Sequence, residues 1–346
     1  MLRRAAFAIP GDIHSPTGGY IYERRLLEGL LAQGRDVTHV QLGASFPDAT
    51  PGDMADAVER LRALEPDRVV ILDGFISATL DTQALARLHI PSVAMVHHPL
   101  ALEIGLDEAR RDHLYRVERD NLEHVAHVLV PSPNTARALT DTYDVAPERI
   151  SIARPGTDRP VLAGAPVDPP LILSVGIQHP RKGHDILLRA LAGLTHLDWT
   201  AVIAGKVYDE AHGRMLDQLL DELGLRSRVR LAGYVSDAEL AELYAGASIF
   251  ALATRYEGYG LVFDEALVHG LPIVSCRTGA VPDTVPPEAG HLVPPDDAEA
   301  FAAALADLLG NKKLTKRCAD AARVAGEALP SWADTARTVG AVLDDL

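Results

Sequence analysis

The chain has 346 residues, a formal net charge of −15, 47% apolar residues and 23% charged ones. At roughly 100–200 residues per domain this predicts two domains with separate cores. The acidic balance excludes a general affinity for nucleic acid but leaves room for local basic spots that hold phosphate.

Cys276 and Cys318 are the only cysteines. They make neither a disulfide framework nor a zinc spacing, which predicts a reducing, cytoplasmic setting. After Met-Leu-Arg-Arg, the apolar run from Ala5 to Ile9 ends at Pro10, Gly11 and Asp12. It is too short for a signal-peptide core and reads as a first buried strand. No run approaches the roughly 20 apolar residues of a membrane span. Leu2-Arg3-Arg4, with Arg24 and Arg25, leaves peripheral contact with an anionic membrane face open.

Further short apolar runs follow at Val69–Leu72, Val93–Val96, Val128–Val130, Leu171–Val175, Ala201–Ala204, Ile249–Leu252 and Ile273–Ser275. Continuous rather than alternating apolarity marks parallel strands covered on both faces. Between them lie helical stripes: Ala57, Val58, Leu61 and Leu64; Ile186, Leu187, Ala190 and Leu191; Leu240, Leu243, Tyr244 and Ala247. Strand and helix alternate almost throughout, which predicts α/β doubly wound sheets.

The stretch Arg154–Pro170 breaks the pattern. It holds Pro155, Pro160, Pro166, Pro169 and Pro170, with Gly156 and Gly164, and reads as an interdomain linker. About six strand candidates are expected on each side. The expected division is an amino-terminal Rossmann-like domain over 1–160, a carboxyl-terminal one over 161–328, and a terminal segment over 329–346 that crosses back to the first. In that segment Ser331 is placed to cap a helix from Trp332 to about Leu343. Ligands of such sheets bind beyond the carboxyl ends of the strands, here in a cleft between the two domains.

The most informative stretch is Thr254-Arg255-Tyr256-Glu257-Gly258-Tyr259-Gly260-Leu261-Val262-Phe263-Asp264-Glu265-Ala266. It follows a strand and opens a helix. Gly258 and Gly260 permit a tight turn, and backbone N–H groups near Gly260, Leu261 and Val262 can hold phosphate. Glu257 and Glu265 flank that point at different depths, which suits a sugar joined through a diphosphate to a nucleoside. On these residues alone, a plain strand–turn–helix junction with surface glutamates fits equally well.

Glu257 and Glu265 match the E-x7-E signature of the family-four retaining glycosyltransferases, which have the GT-B fold. The resemblance continues upstream in Leu240-Ala241-Glu242-Leu243-Tyr244-Ala245-Gly246-Ala247. Downstream it runs through Gly279-Ala280-Val281-Pro282-Asp283 and His291–Asp297. It is strongest over about 170–310.

The resemblance implies a metal-independent transfer from a UDP- or GDP-sugar to a hydroxyl of a glycan, lipid or small molecule. In Ser174-Val175-Gly176-Ile177-Gln178-His179-Pro180-Arg181-Lys182-Gly183, it implies that Arg181 and Lys182 neutralise the donor diphosphate. A solvated basic cap is the alternative. The donor contacts implied are Gly18, Gly19, Gly176, Tyr234, Tyr259, Gly260, Leu261, Val262 and Glu265. Tyr234, in the loop that would meet the base, can equally be a packing residue. Thr17-Gly18-Gly19-Tyr20 lets backbone approach the donor, or is an ordinary loop. His97, in Val96-His97-His98-Pro99, would touch the transferred sugar; His98 is the fallback, and a structural histidine is the alternative. Glu103 has no assigned role.

The resemblance further implies retention without a carboxylate nucleophile. Glu257 would hold sugar hydroxyls, and the departing phosphate would take the acceptor proton. The chain has no D-x-D sequence, so no donor-bridging metal and no other cofactor is expected. Competing expectations are a nucleotide-sugar hydrolase or epimerase, a phosphorylase, and a non-catalytic partner subunit on the same fold. The acceptor, base and sugar are not legible.

Overall fold

The computed structural model describes residues 2–160 and 164–346. Part of the expected linker, residues 161–163, and with it the expected 160/161 division, lies outside the described residues. The chain forms two units. One runs to Gly156 and takes up Pro330–Leu346 again; the other is Thr157–Leu329. The division comes before residue 160 because Thr157 and Arg159 already bond within the second unit. Thr157 Oγ1 lies 3.4 Å from Asp264 Oδ2, and Arg159 donates to the carbonyls of Gly326, Glu327 and Leu329.

The first unit holds a six-stranded sheet of β1 (Arg4–Pro10), β2 (Val37–Leu42), β3 (Arg68–Leu72), β4 (Ser92–Met95), β5 (His127–Val130) and β6 (Ile150–Ile152). Its spatial order is β2-β1-β3-β4-β5-β6, and every pairing is parallel. The second holds β7 (Leu171–Val175), β8 (Thr200–Ala204), β9 (Val229–Gly233), β10 (Ala247–Leu252), β11 (Ile273–Cys276) and β12 (Gly290–Val293). Their order is β12-β11-β10-β7-β8-β9, again all parallel. In each sheet the winding reverses once, between β1 and β3 and between β7 and β10. Such reversal points open a crevice at the strands' carboxyl ends.

The apolar runs explain the layering. Ala6, Ala8, Val70, Leu72, Ala94, Val128 and Val130 belong to one buried cluster. The alternate residues Ala5, Phe7, Ile9, Val69, Ile71, Val93 and Leu129 belong to another. Both faces of the sheet are therefore covered, as continuous apolarity predicts. The second unit repeats this with Ile172, Ile203, Ala251 and Val274 against one cluster and Leu173, Val202, Phe250, Leu252 and Ile273 against another.

The terminal helix Trp332–Asp344 starts from a capping box between Ser331 and Asp334. It packs Ala336, Val339 and Leu343 into the cluster under β1 and β3. Arg35, its side chain 1% exposed, forks onto both oxygens of Asp344 at 2.7 and 3.0 Å and also meets the Gly340 carbonyl at 3.0 Å. Arg4, at the basic amino end, is held by Asp36, Glu65 and Asp67. Arg25 lies over the Trp332 ring and 3.6 Å from Glu28. These arginines are thus engaged with groups of their own unit. Among the described residues no helix is long and apolar enough to cross a membrane.

Gly29, on the helix Gly18–Ala32, admits the terminal helix at close range. A Cβ there would sit 2.7 Å from Ala336 Cβ. Gly29→Leu should therefore wedge the two helices apart. Overpacking of this kind costs about 1–3 kcal/mol, so the melting temperature should fall by several degrees. An unchanged melt would contradict the close approach.

Candidate functional site

In the second unit the loops after β7 and β10 meet at the reversal point. After β7 the chain makes a short turn of helix, Pro180–Lys182, and enters the helix His184–Ala192 through Gly183. Gly183 has φ +63°, and a Cβ there would stand 1.9 Å from the Ala253 carbonyl oxygen. Only glycine allows this contact between the two loops. After β10 the chain reaches Gly260, at φ +87°, which starts the helix Leu261–Val268 with no side-chain cap.

Backbone and side chains stitch the loops together. Arg255 N donates to the Arg181 carbonyl at 2.8 Å, and Thr254 Oγ1 lies 3.1 Å from the same carbonyl. The Arg255 guanidinium reaches Asp185 through two bonds of 3.0 and 2.8 Å, Asp296 at 2.7 Å, and the Pro180 carbonyl. Its charge is satisfied by these acids, so it acts as a brace.

Glu257 is the centre of the group and is 4% exposed. Lys182 Nζ donates to Oε1 at 2.6 Å, Thr254 Oγ1 donates to the same oxygen at 3.0 Å, and Arg181 Nη1 lies 3.4 Å from Oε2. Burial opposes the charge on this carboxyl. Lys182 and then Arg181 more than offset it, holding Glu257 below the usual carboxylate range. The expected division of labour, with cations for phosphate and Glu257 for sugar, therefore meets a single charged cluster. Gly176 backs it: a Cβ there would lie 3.3 Å from the Lys182 side chain. The helix start also adjoins it, since a Cβ on Gly260 would lie 3.6 Å from Glu257 Cγ. Leu261 and Val262 are the helix's first two residues.

Glu265 lies on the same helix, half-buried. It accepts from Tyr244 Oη at 2.7 Å. Tyr244 stacks on His269 with centroids 4.8 Å apart. Burial pushes the Glu265 carboxyl up to about 7, Tyr244 works against this, and Asp264 and Asp158 reinforce it. Tyr259 is buried and its hydroxyl meets Asp264, so its side chain belongs to the helix support. Tyr234 is 67% exposed just beyond β9.

In the first unit, Gly18 and Gly19 open the helix after β1. A Cβ on Gly19 would lie 3.5 Å from His97 Cδ2, which brings the glycine loop and the histidine after β4 together. His97 Nε2 is 3.3 Å from Glu23 Oε1. Burial lowers the His97 pKa. His98 instead pairs with Glu103 at 3.0 Å, giving that glutamate a partner.

Sequence reasoning did not single out Glu23, Asp73, Thr254 or Arg255. Asp73 directly follows β3, and an acidic residue at a strand's carboxyl end beside the reversal point is a signal that could have found it. Glu23 carries no such mark; it is one polar residue on a helix.

Two family descriptions match the chain in tandem: Glycosyltransferase Family 4 over residues 18–159 and Glycosyl transferases group 1 over residues 162–325. Among curated proteins it is similar to the MMP alpha-(1->4)-mannosyltransferase of Mycolicibacterium hassiacum, with 30% identity over 75% of this chain and 66% of that one. It is also similar to the D-inositol 3-phosphate glycosyltransferase of Corynebacterium glutamicum, with 29% identity over 61% and 56%. The chain thus spans between about half and two thirds of the length of these relatives.

Among solved structures, a sucrose-phosphate synthase from Thermosynechococcus elongatus aligns over 99% of both chains, with TM-score 0.83 and 22% identity. Anabaena HepE in complex with UDP and glucose aligns over 100% of both, with TM-score 0.77 and 18% identity. With both halves matched in order by family and the two parallel sheets repeated in these neighbours, the chain belongs to glycosyltransferase family 4 and has the GT-B fold.

Proposed function

We propose that the protein is a retaining, metal-independent glycosyltransferase that takes a sugar from a nucleoside-diphosphate donor. The observation that carries the reading is the buried cluster of Lys182, Arg181 and Glu257 beside the glycine-started helix Leu261–Val268. Cations and helix N–H groups gathered at one strand end suit a diphosphate. The HepE neighbour is solved with UDP and with UDP-glucose, which favours UDP over GDP.

In this reading Arg181 and Lys182 face the growing charge of the leaving diphosphate, and Glu257 holds Lys182 in place. A carboxylate has about four lone-pair sites, so Glu257 keeps capacity for a sugar hydroxyl. Gly176, Tyr259, Gly260, Leu261 and Val262 line the phosphates through backbone. Tyr234 stacks on the base and Glu265 takes the ribose hydroxyls. Within the first unit, Gly18 and Gly19 keep their expected role of letting backbone approach a phosphate, and His97 its expected contact with a sugar.

The acceptor hydroxyl attacks the anomeric carbon on the face from which the diphosphate departs. The carbon–oxygen bond to acceptor forms, the bond to phosphate breaks, and the acceptor's proton passes to the leaving phosphate oxygen. The protein contributes orientation and charge stabilisation. The acceptor is a hydroxyl of a glycan, lipid or small molecule. Cys276 and Cys318 are both free and buried, which supports a reducing, cytoplasmic setting.

Incubation of the protein with UDP-glucose, UDP-GlcNAc and GDP-mannose against an acceptor panel, followed by NMR of the products, tests the reading. An α-linked product, formed equally with and without EDTA, is expected. Release of free sugar alone, with no acceptor ever glycosylated, would show a hydrolase instead.

Lys182→Ala should weaken UDP by about 10–100-fold, since a hydrogen bond to a charged group is worth about 1.5–3 kcal/mol. Uridine should lose far less; equal losses in calorimetric titrations would argue against phosphate contact. Glu265, with its carboxyl at about 7, predicts a pH effect. The ionised form accepts from both ribose hydroxyls, so affinity for an intact UDP-sugar should rise between about pH 6 and pH 8. Glu265→Gln should flatten that rise, and a slope kept in the variant would point to another group.

A further inference from the structure

Three side chains of the first unit come together where no charge was anticipated. Glu23 is 1% exposed and Asp73 is 5% exposed. With His97 they bring one ligating atom each to within 4.8 Å of one another. They stand on three elements: the helix Gly18–Ala32, the carboxyl end of β3, and the residues after β4. The first two elements border the reversal point of the sheet.

Two carboxyls side by side in so dry a place cannot both carry charge without a cation. Burial comes first and the neighbouring Glu23 charge second in raising Asp73 well above the usual range. Burial raises Glu23 to about 7, while its bond with Asp73 works against this. Glu23 Oε2 is buried with no N–H or O–H donor on it among the described residues. One proton shared by the pair accounts for both facts.

The pair is anchored from behind. Asp73 Oδ1 accepts from Phe75 N at 2.8 Å and from Ile76 N at 3.4 Å, which fixes its carboxyl to the start of the helix Gly74–Thr79. From there the contacts run through Glu23 to His97 Nε2 at 3.3 Å. The imidazole is also held by a neighbouring ring. Tyr22 meets it edge-on at 5.4 Å, and Tyr22 is pinned by its hydroxyl to the Ala153 carbonyl at 2.7 Å. The His97 side chain keeps 25% of its surface open. A ring this constrained presents one nitrogen to Glu23 and the other elsewhere, and the partner of the first decides which carries the proton.

We propose that Glu23 and Asp73 are positioning residues: sharing one proton, they accept the Nε2–H of His97 and so present Nδ1 as a hydrogen-bond acceptor for a sugar hydroxyl. This rests on the transferase reading for the sugar, but the tautomer does not. A neutral imidazole held by a carboxylate is a known way to fix ring orientation and tautomer. Here the acidic partner is itself tuned by a second acid, so that the site carries one negative charge rather than two.

Two-bond proton–nitrogen NMR correlation on 15N-histidine-labelled protein, with His97 assigned through His97→Asn, reads the tautomer directly. Wild type should show the neutral Nε2–H form at about pH 7. Glu23→Gln offers an amide donor and should shift His97 toward the Nδ1–H form. In Glu23→Gln and Asp73→Asn, kcat should fall at least about 10-fold while the donor KM stays within about 2-fold.

The Nδ1–H form or an imidazolium in wild type would overturn the proposal, even if neither variant folds. So would variants with an unchanged tautomer and kcat. One-to-one binding of Mn2+ or Zn2+ to wild type, lost in Asp73→Asn, would make the cluster a cation site and also overturn it. If wild type glycosylates nothing yet shows the Nε2–H tautomer, the transferase reading fails and the positioning role stands.

Discussion

The second unit is organised around one buried carboxylate. Glu257 sits beneath the surface with Lys182 at 2.6 Å, Thr254 at 3.0 Å and Arg181 at 3.4 Å. Removing either partner of a buried pair typically costs about 3–5 kcal/mol, because the survivor is left charged in a poor solvent. The pair therefore locks the loop after β7 to the loop after β10, and Arg255 fastens the same loops from the side. Burial by itself works against the charge on Glu257. That its carboxyl is held low shows that the cations win. A site assembled this way is charged and ordered before any ligand enters, which is what electrostatic stabilisation of a leaving diphosphate requires.

The first unit solves a related problem with opposite means. Its acids outnumber its local cations, so charge is removed by a shared proton instead of a salt bridge. Asp73 rests on the backbone of Phe75 and Ile76, Glu23 rests on His97, which Tyr22 meets edge-on, and among the described residues no arginine or lysine hydrogen-bonds to either acid. The two units thus place chemically different groups at equivalent points, the carboxyl ends of strands at the winding reversal.

Much of the fold was legible because central strands announce themselves. The runs read from the sequence correspond to β1, β3, β4, β5, β7, β8, β10 and β11, and both faces of these are buried. The strands with no clear apolar run are β2, β6, β9 and β12, and these are the four edge strands. An edge strand such as Val37–Leu42 leaves Thr38, His39 and Gln41 exposed, so the continuous signal disappears. The site divides along the same line. Lys182, Glu257 and Glu265 lie within contiguous motifs and could be found. Asp73 and Glu23 are 50 positions apart and meet only through strand order, which a one-dimensional pattern does not contain. The pairing of Glu257 with both cations was hidden for the same reason.

The return of Pro330–Leu346 to the first unit has a consequence for how the chain is made. The second unit is one uninterrupted stretch, so all its strands are available once residue 329 has left the ribosome. The first unit is not complete at residue 156. The face of its sheet carrying Phe7, Ile9 and Ile71 waits for Ala336, Val339 and Leu343, and Arg35 waits for Asp344. During synthesis the later unit can therefore close before the earlier one, and part of an apolar sheet face stays open until the helix Trp332–Asp344 emerges. The order in which the two units can be completed is thus the reverse of the order in which they begin to be translated, and the helix Trp332–Asp344 is the piece that ends the exposure.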